Sequence, residues 1–127
     1  VLEKSTPRRL TILIIEDNQM FRSLAKEMLS GNNIIQAEDG HQGMNLYYTY
    51  KPDITFLDIG LPDQSGHGVL EKIMQANPQA FVVMLTASNL QKDVEEALKK
   101  GAKGYIIKPF SRKKIKDILD QFFATIL

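Results

Sequence analysis

The 127-residue chain contains no cysteine, and its only histidines are His41 and His67. The missing cysteine excludes disulfide scaffolds and thiolate zinc sites and fits a reducing compartment. Two histidines argue against an active site built on imidazole. No apolar run approaches the length that spans a bilayer, and the N-terminal stretch VLEKSTPRR lacks the apolar core of a secretory leader. The expectation is a soluble, cytoplasmic protein with no membrane partner. A first residue of Val in place of Met points to trimming, or to a piece of a longer protein.

Excess charge is scarce too. The net charge is +1, but residues 90–127 carry nine Lys or Arg against five acids, and residues 1–89 carry seven against ten. The basic residues alternate with acids at helical spacing, which describes a solvated helix face and not a nucleic-acid surface. A chain of this size suits one domain that buries about two-thirds of the surface its unfolded form exposes.

Five short apolar runs punctuate the sequence: LTILII (10–15), NIIQA (33–37), DITFL (53–57), AFVVML (80–85) and GYIIK (104–108). Their β-branched content and turn-forming flanks predict strands buried on both faces, as in a parallel sheet. Helical periodicity fills the gaps. Phe21, Leu24, Ala25, Met28 and Leu29 mark a first helix stopped by Gly31, and His41 to Tyr50 a second. Val69, Leu70, Ile73 and Met74 mark a third, ended by Asn77-Pro78; Val94, Ala97 and Leu98 a fourth, ended by Gly101. Ser111 is placed to cap a fifth, with Ile115, Ile118, Leu119, Phe122 and Phe123 inward. Five βα units imply right-handed crossovers and helices on both sheet faces, with residues 1–9 as a loose tail and 10–127 as the domain.

Ligands of open parallel sheets bind beyond the carboxyl ends of the strands. There the sequence places Glu16 and Asp17, Asp58, Thr86 and Lys108, each ending a different run or following it. Asp17 or Asp58 alone would serve as a helix cap. Three clustered carboxylates instead raise one another's pKa unless they recruit a cation, and a hard ion with oxygen ligands, Mg2+, suits them. Lys108, stiffened by Pro109, adds a fixed positive charge, and the Thr86 hydroxyl can donate. A metal on one side and an ammonium on the other define a pocket for a phosphoryl group.

The ordered set IIEDN, AEDG, FLDIGLPDQSG, LTAS and GAKGYIIKPF resembles the receiver domains of two-component response regulators over about residues 10–125. The resemblance implies a flavodoxin-like (βα)5 fold, a doubly wound five-stranded parallel sheet; its strand order 2-1-3-4-5 comes from the family and not from the periodicity. It implies a signalling switch in which Asp58 accepts a phosphoryl group from a histidine kinase or a histidine phosphotransfer protein. Asp17, Asp58 and the Gly60 carbonyl would ligate Mg2+, with Glu16 acting through a metal-bound water. Lys108, Thr86 and the Ala87 amide would hold the phosphoryl oxygens. Such a domain is consumed as a substrate and is not a conventional enzyme.

By the same resemblance Thr86 moves toward the phosphoryl group and Tyr105 swings inward, altering a face made by the fourth helix, fifth strand and fifth helix. That face would meet an effector domain or protein, or a second copy in a homodimer. Its basic residues Lys92, Lys99, Lys100, Lys103, Lys113, Lys114 and Lys116 and acids Glu95, Glu96, Asp117 and Asp120 would favour an acidic or charge-compensating partner. Gly60 and Ser88 occupy positions that influence acyl-phosphate hydrolysis in the family; both are small, so water has access, but Gly60 offers nothing to position it.

Three other functions compete. A Mg2+-dependent phosphohydrolase of haloacid dehalogenase type needs an acid where Gly60 stands. A flavodoxin-like electron carrier needs a Ser, Thr and Gly-rich loop where EDNQM stands. A receiver-like interaction module that works without phosphorylation would not need the complete acidic set.

Overall fold

A computed structural model describes residues 8–87 and 90–126. Strands β1 (Thr11–Ile15), β2 (Asn33–Ala37), β3 (Ile54–Asp58), β4 (Val82–Thr86) and β5 (Gly104–Ile107) alternate with helices α1 (Gln19–Met28), α2 (Gly40–Tyr50), α3 (Gly66–Ala76), α4 (Gln91–Lys99) and α5 (Arg112–Thr125). The strands form one parallel sheet of order β2-β1-β3-β4-β5. The expected topology is therefore present.

Side chains alternate across the sheet with the two-residue period of a strand. Ile12, Ile14, Ile54, Phe56, Val83, Leu85 and Ile106 face one way and pack with Ala25 and Leu29 of the α1 region and Ile115, Ile118 and Phe122 of α5. Leu13, Ile15, Leu57, Val82 and Met84 face the other way, against Met44 and Tyr47 of α2, Val69, Leu70 and Ile73 of α3, and Ala97 of α4. Phe56, 1 % exposed, is among the largest buried side chains; full burial of such a residue stabilises the fold by about 1.5–3 kcal/mol.

Two expectations need correcting. Only the inner strands are buried on both faces; β2 lies at the sheet edge with Asn33 and Gln36 exposed. An edge strand has one neighbour, so its polar residues reach water. Leu24 and Leu98, assigned to inner helix faces, are 37 % and 50 % exposed. In α1 and α4 the small Ala25 and Ala97 take the buried positions, and since neighbours on a helix point about 100° apart, the adjacent leucines turn outward.

Caps settle the helix starts. Asn18, Asp39, Ser65 and Ser111 accept hydrogen bonds from the amides of Phe21, Gln42, His67 and Lys114. Gly31 and Gly101 follow α1 and α4 with φ of 92° and 107°, the left-handed conformation that glycine adopts without steric cost. The tail residues 1–7, and Ser88, lie outside the described residues. Arg8 pairs with Asp53 at 2.8 Å.

Candidate functional site

The strand register builds the site. Ile15 pairs with Leu57, Asp58 with Leu85, and Thr86 with Ile107. Glu16, Asp58, Thr86 and Lys108 thus emerge side by side at the carboxyl edge of the sheet. Backbone bonds continue past the strands: the Glu16 amide donates to the Ala37 carbonyl at 3.0 Å, and the Lys108 amide to the Thr86 carbonyl at 2.8 Å. The side chains therefore leave from backbone that is already fixed.

Asp58 is 5 % exposed and Glu16 is fully buried, while Asp17 is exposed. One carboxylate oxygen from each of the three lies within 4.8 Å of the others. Neither aspartate caps a helix; Asn18 and Ser65 fill those positions. Lys108 Nζ stands 2.5 Å from Glu16 Oε1 and 3.4 Å from Asp58 Oδ2. The ammonium also lies 4.4 Å above the Phe21 ring, a cation–π contact that helps hold it in the pocket. The Lys108-Pro109 peptide is cis.

Burial pushes the Glu16 carboxyl above its ordinary pKa, and the neighbouring charge of Asp58 acts in the same direction; hydrogen bonds from Lys108 and the Asn18 amide oppose them. The Asn18 amide donates to Glu16 Oε2 at 2.9 Å. Glu16 is thus gripped on both oxygens. Gly60 is exposed, and its amide points toward Asp58 Oδ1 at 3.4 Å.

Thr86 is 3 % exposed, and its side chain is hydrogen-bonded to Tyr105. Burial raises the Tyr105 hydroxyl pKa, the charge of Asp93 adds to the effect, and the Thr86 bond works against it. Ala87, next along the chain, is exposed beside this pair.

Three contacts position these loops, and those of Arg22 and Asp63 were not anticipated. Arg22 donates to the carbonyls of Glu16 at 2.8 Å and Asp17 at 3.1 Å, bracing the loop between β1 and α1. Asp63 accepts from the amides of Gly40 at 2.8 Å and His41 at 2.9 Å, tying the loop after β3 to the start of α2. Gly66 packs so tightly that a Cβ there would sit 2.2 Å from the Asp58 carbonyl oxygen. Asn18, Pro62 and Gly66 mark these loops in the sequence, but Arg22 and Asp63 bond to backbone groups, which any residue supplies.

Comparison with known proteins follows the same lines. The model of the response regulator receiver domain matches residues 12–120. The chain is 35 % identical over 115 residues to the chemotaxis protein CheY of Listeria monocytogenes, covering 88 % of this chain and 97 % of that protein. It is 33 % identical over 118 residues to the nitrate/nitrite response regulator protein NarL of Escherichia coli, covering 90 % of this chain but 55 % of NarL. Among solved structures, a CheX–CheY–BeF3–Mg2+ complex from Borrelia burgdorferi superposes with a TM-score of 0.88 at 30 % identity, covering 94 % of this chain and 93 % of that one.

Proposed function

The chain belongs to the response regulator receiver domain family, and from that premise we propose that it is a phosphorylation-operated switch whose phosphoacceptor is Asp58. The observation that carries the proposal is the company Asp58 keeps: a nearly buried carboxylate at a rigid strand end, with an ammonium 3.4 Å away and two further carboxylates in reach.

The donor is a phosphohistidine of a histidine kinase or phosphotransfer protein. An Asp58 oxygen attacks phosphorus, the P–O bond forms as the P–N bond breaks, and the imidazole leaves with the electron pair and takes up a proton. The sheet holds the nucleophile in line, so little motion is needed at the moment of transfer. Lys108 meets the incoming negative charge from one side. The Thr86 hydroxyl and the Ala87 amide donate to phosphoryl oxygens.

The three carboxylates fit a hard divalent ion, since all offer oxygen and Asp17 leaves one side open to water. Asp17, Asp58 and the Gly60 carbonyl would hold Mg2+, with Glu16 reaching it through water. Bound there, the ion would supply charge neutralisation for the oxygens that gain negative charge in the transfer. The Borrelia CheY complex, which holds BeF3 and Mg2+, supports the assignment.

Output follows from Thr86 and Tyr105. A phosphoryl group competes with Tyr105 for the Thr86 hydroxyl, so phosphorylation biases a pre-existing equilibrium of the α4-β5-α5 face. Leu90 and Leu98 expose 58 % and 50 % of their surface on that side, apolar area an effector or a second copy can cover. On α5, Lys113 and Lys116 pair with Asp117 and Asp120 at 3.1 and 2.8 Å, so the basic excess there is partly compensated.

Fluorine NMR with beryllofluoride tests the reading. A bound signal that requires Mg2+ and is lost in Asp58→Asn supports it. Equal binding by Asp58→Asn, or none by the wild type, points to the interaction module.

A further inference from the structure

His67 takes no part in the site above. It occupies the first turn of α3, its amide donating to Ser65 Oγ at 3.1 Å, and the residue is 8 % exposed. Its ring is aimed at α4. Nε2 lies 3.6 Å from Asp93 Oδ1, and Nδ1 lies 3.7 Å from Glu96 Oε2. Both ring nitrogens are buried, and among the described residues neither has a hydrogen-bond partner. Contacts of that length are too long for hydrogen bonds, and a buried imidazole with neither nitrogen satisfied is unusual.

Asp93 and Glu96 are three residues apart on one helix, so both carboxylates project from the same face toward the ring. One ligand atom from each of His67, Asp93 and Glu96 lies within 4.8 Å of the other two. The group therefore comprises a nitrogen donor and two oxygen donors drawn from two helices.

We propose that His67, Asp93 and Glu96 form a second cation site, separate from the acidic cluster around Asp58, that takes a divalent transition metal of the Zn2+ class. The donor set separates the two sites chemically. Oxygen-only ligands suit Mg2+, whereas an imidazole with carboxylates suits Zn2+ and its neighbours. Two donors on one tetrahedral Zn2+ stand roughly 3.4 Å apart when each bond is about 2.1 Å. Nε2 and Asp93 Oδ1 are already near that spacing at 3.6 Å. Glu96, with 44 % of its side chain exposed, has room to turn an oxygen to the same ion.

Lys100 completes the surroundings. Its Nζ lies 2.8 Å from Glu96 Oε2 and 3.2 Å from Glu71 Oε2. It holds Glu96 Oε2, the oxygen that faces Nδ1, so Oε1 is the atom Glu96 would turn to the ion, with Lys100 in the outer-shell role that orients many metal-bound carboxylates. An ion here would fasten the start of α3 to α4. It would also neutralise Asp93, whose charge acts on Tyr105. The site stands on its own donors and does not depend on phosphorylation of Asp58.

The test uses the full chain stripped by chelator and kept at about pH 7.5 in millimolar Mg2+ to occupy the acidic cluster. Titration with Co2+ is followed by its visible absorption, and Zn2+ is then added in competition. The expected result is saturation at one ion, displacement by Zn2+, and affinity weakened by about tenfold or more in His67→Gln and in Glu96→Gln. Asp17→Asn, which damages the acidic cluster, keeps the absorption. Should His67→Gln fail to fold by circular dichroism, Glu96→Gln at its more exposed position carries the comparison. No saturable absorption in the wild type overturns the proposal. So does an absorption that survives both variants or disappears in Asp17→Asn.

Discussion

Lys108 pairs with Glu16, its ammonium 2.5 Å from Oε1, while the proposed phosphoacceptor Asp58 lies farther away at 3.4 Å. The side chains of this pair are 9 % and 1 % exposed. Glu16 thus holds the ammonium beside Asp58, where the proposed phosphoryl transfer would need it.

Removing one partner of a buried pair strands the other charge. Lys108→Met should destabilise the protein by about 3–5 kcal/mol in urea unfolding at neutral pH, and the double variant Glu16→Gln/Lys108→Met should recover much of that loss. Neither variant should regain wild-type phosphorylation. Recovery of phosphorylation by the double variant would show that Lys108 acts only as the counter-ion of Glu16.

Thr86→Ala removes the hydroxyl shared between Tyr105 and the site. The variant should still take up a phosphoryl group, but the gain in effector affinity on phosphorylation should fall by about fivefold or more. Calorimetry with and without beryllofluoride measures it. An undiminished gain would remove Thr86 from the route to the output face.

Two glycines of α3 should respond in opposite directions. A Cβ at Gly66 would lie 2.2 Å from the Asp58 carbonyl oxygen and 2.6 Å from Ile59 Cα, backbone atoms that cannot step aside. Gly66→Ala should therefore destabilise by at least about 1–3 kcal/mol and slow phosphorylation by displacing Asp58. A Cβ at Gly68 would meet no atom of the rest of the described fold within 4 Å, so Gly68→Ala should stabilise by roughly 0.5–1 kcal/mol. Thermal melts of both variants check the contrast.

Asp63 gives a pH signature. Its hydrogen bond from the Gly40 amide, with help from His41, lowers the carboxyl pKa from 3.8 to about 2. Because the folded value is depressed, the stability it contributes is fully present above 3.8 and lost as pH falls through about 2. The difference in melting temperature between wild type and Asp63→Asn should be constant above pH 5 or so and shrink below it. A difference that grows toward low pH would contradict the assignment.

Much of this was legible in the sequence because buried parallel strands need continuous β-branched runs, and the five runs mark them. The boundaries of β3 and β4 run one residue past the apolar runs, to Asp58 and Thr86, since ladder bonding continues into the polar site residues. The residues that meet at the sheet edge were legible because each ends a strand or stands within two residues of its end. Arg22 and Asp63 were not, since their partners are backbone groups, nearby in the chain for Arg22 and distant for Asp63, and backbone groups carry no residue signature. His67 was passed over because imidazole is sparse in the sequence, yet the packing of α3 against α4 supplies two carboxylates that its own neighbours do not.

The central claim is that Asp58 accepts a phosphoryl group. Intact mass after incubation with phosphoramidate tests it most directly, with and without Mg2+, for wild type and Asp58→Asn. One added phosphoryl group is expected in the wild type only when Mg2+ is present, and none in the variant. An unchanged wild-type mass under conditions where beryllofluoride also fails to bind, or an equal gain in Asp58→Asn, would contradict it.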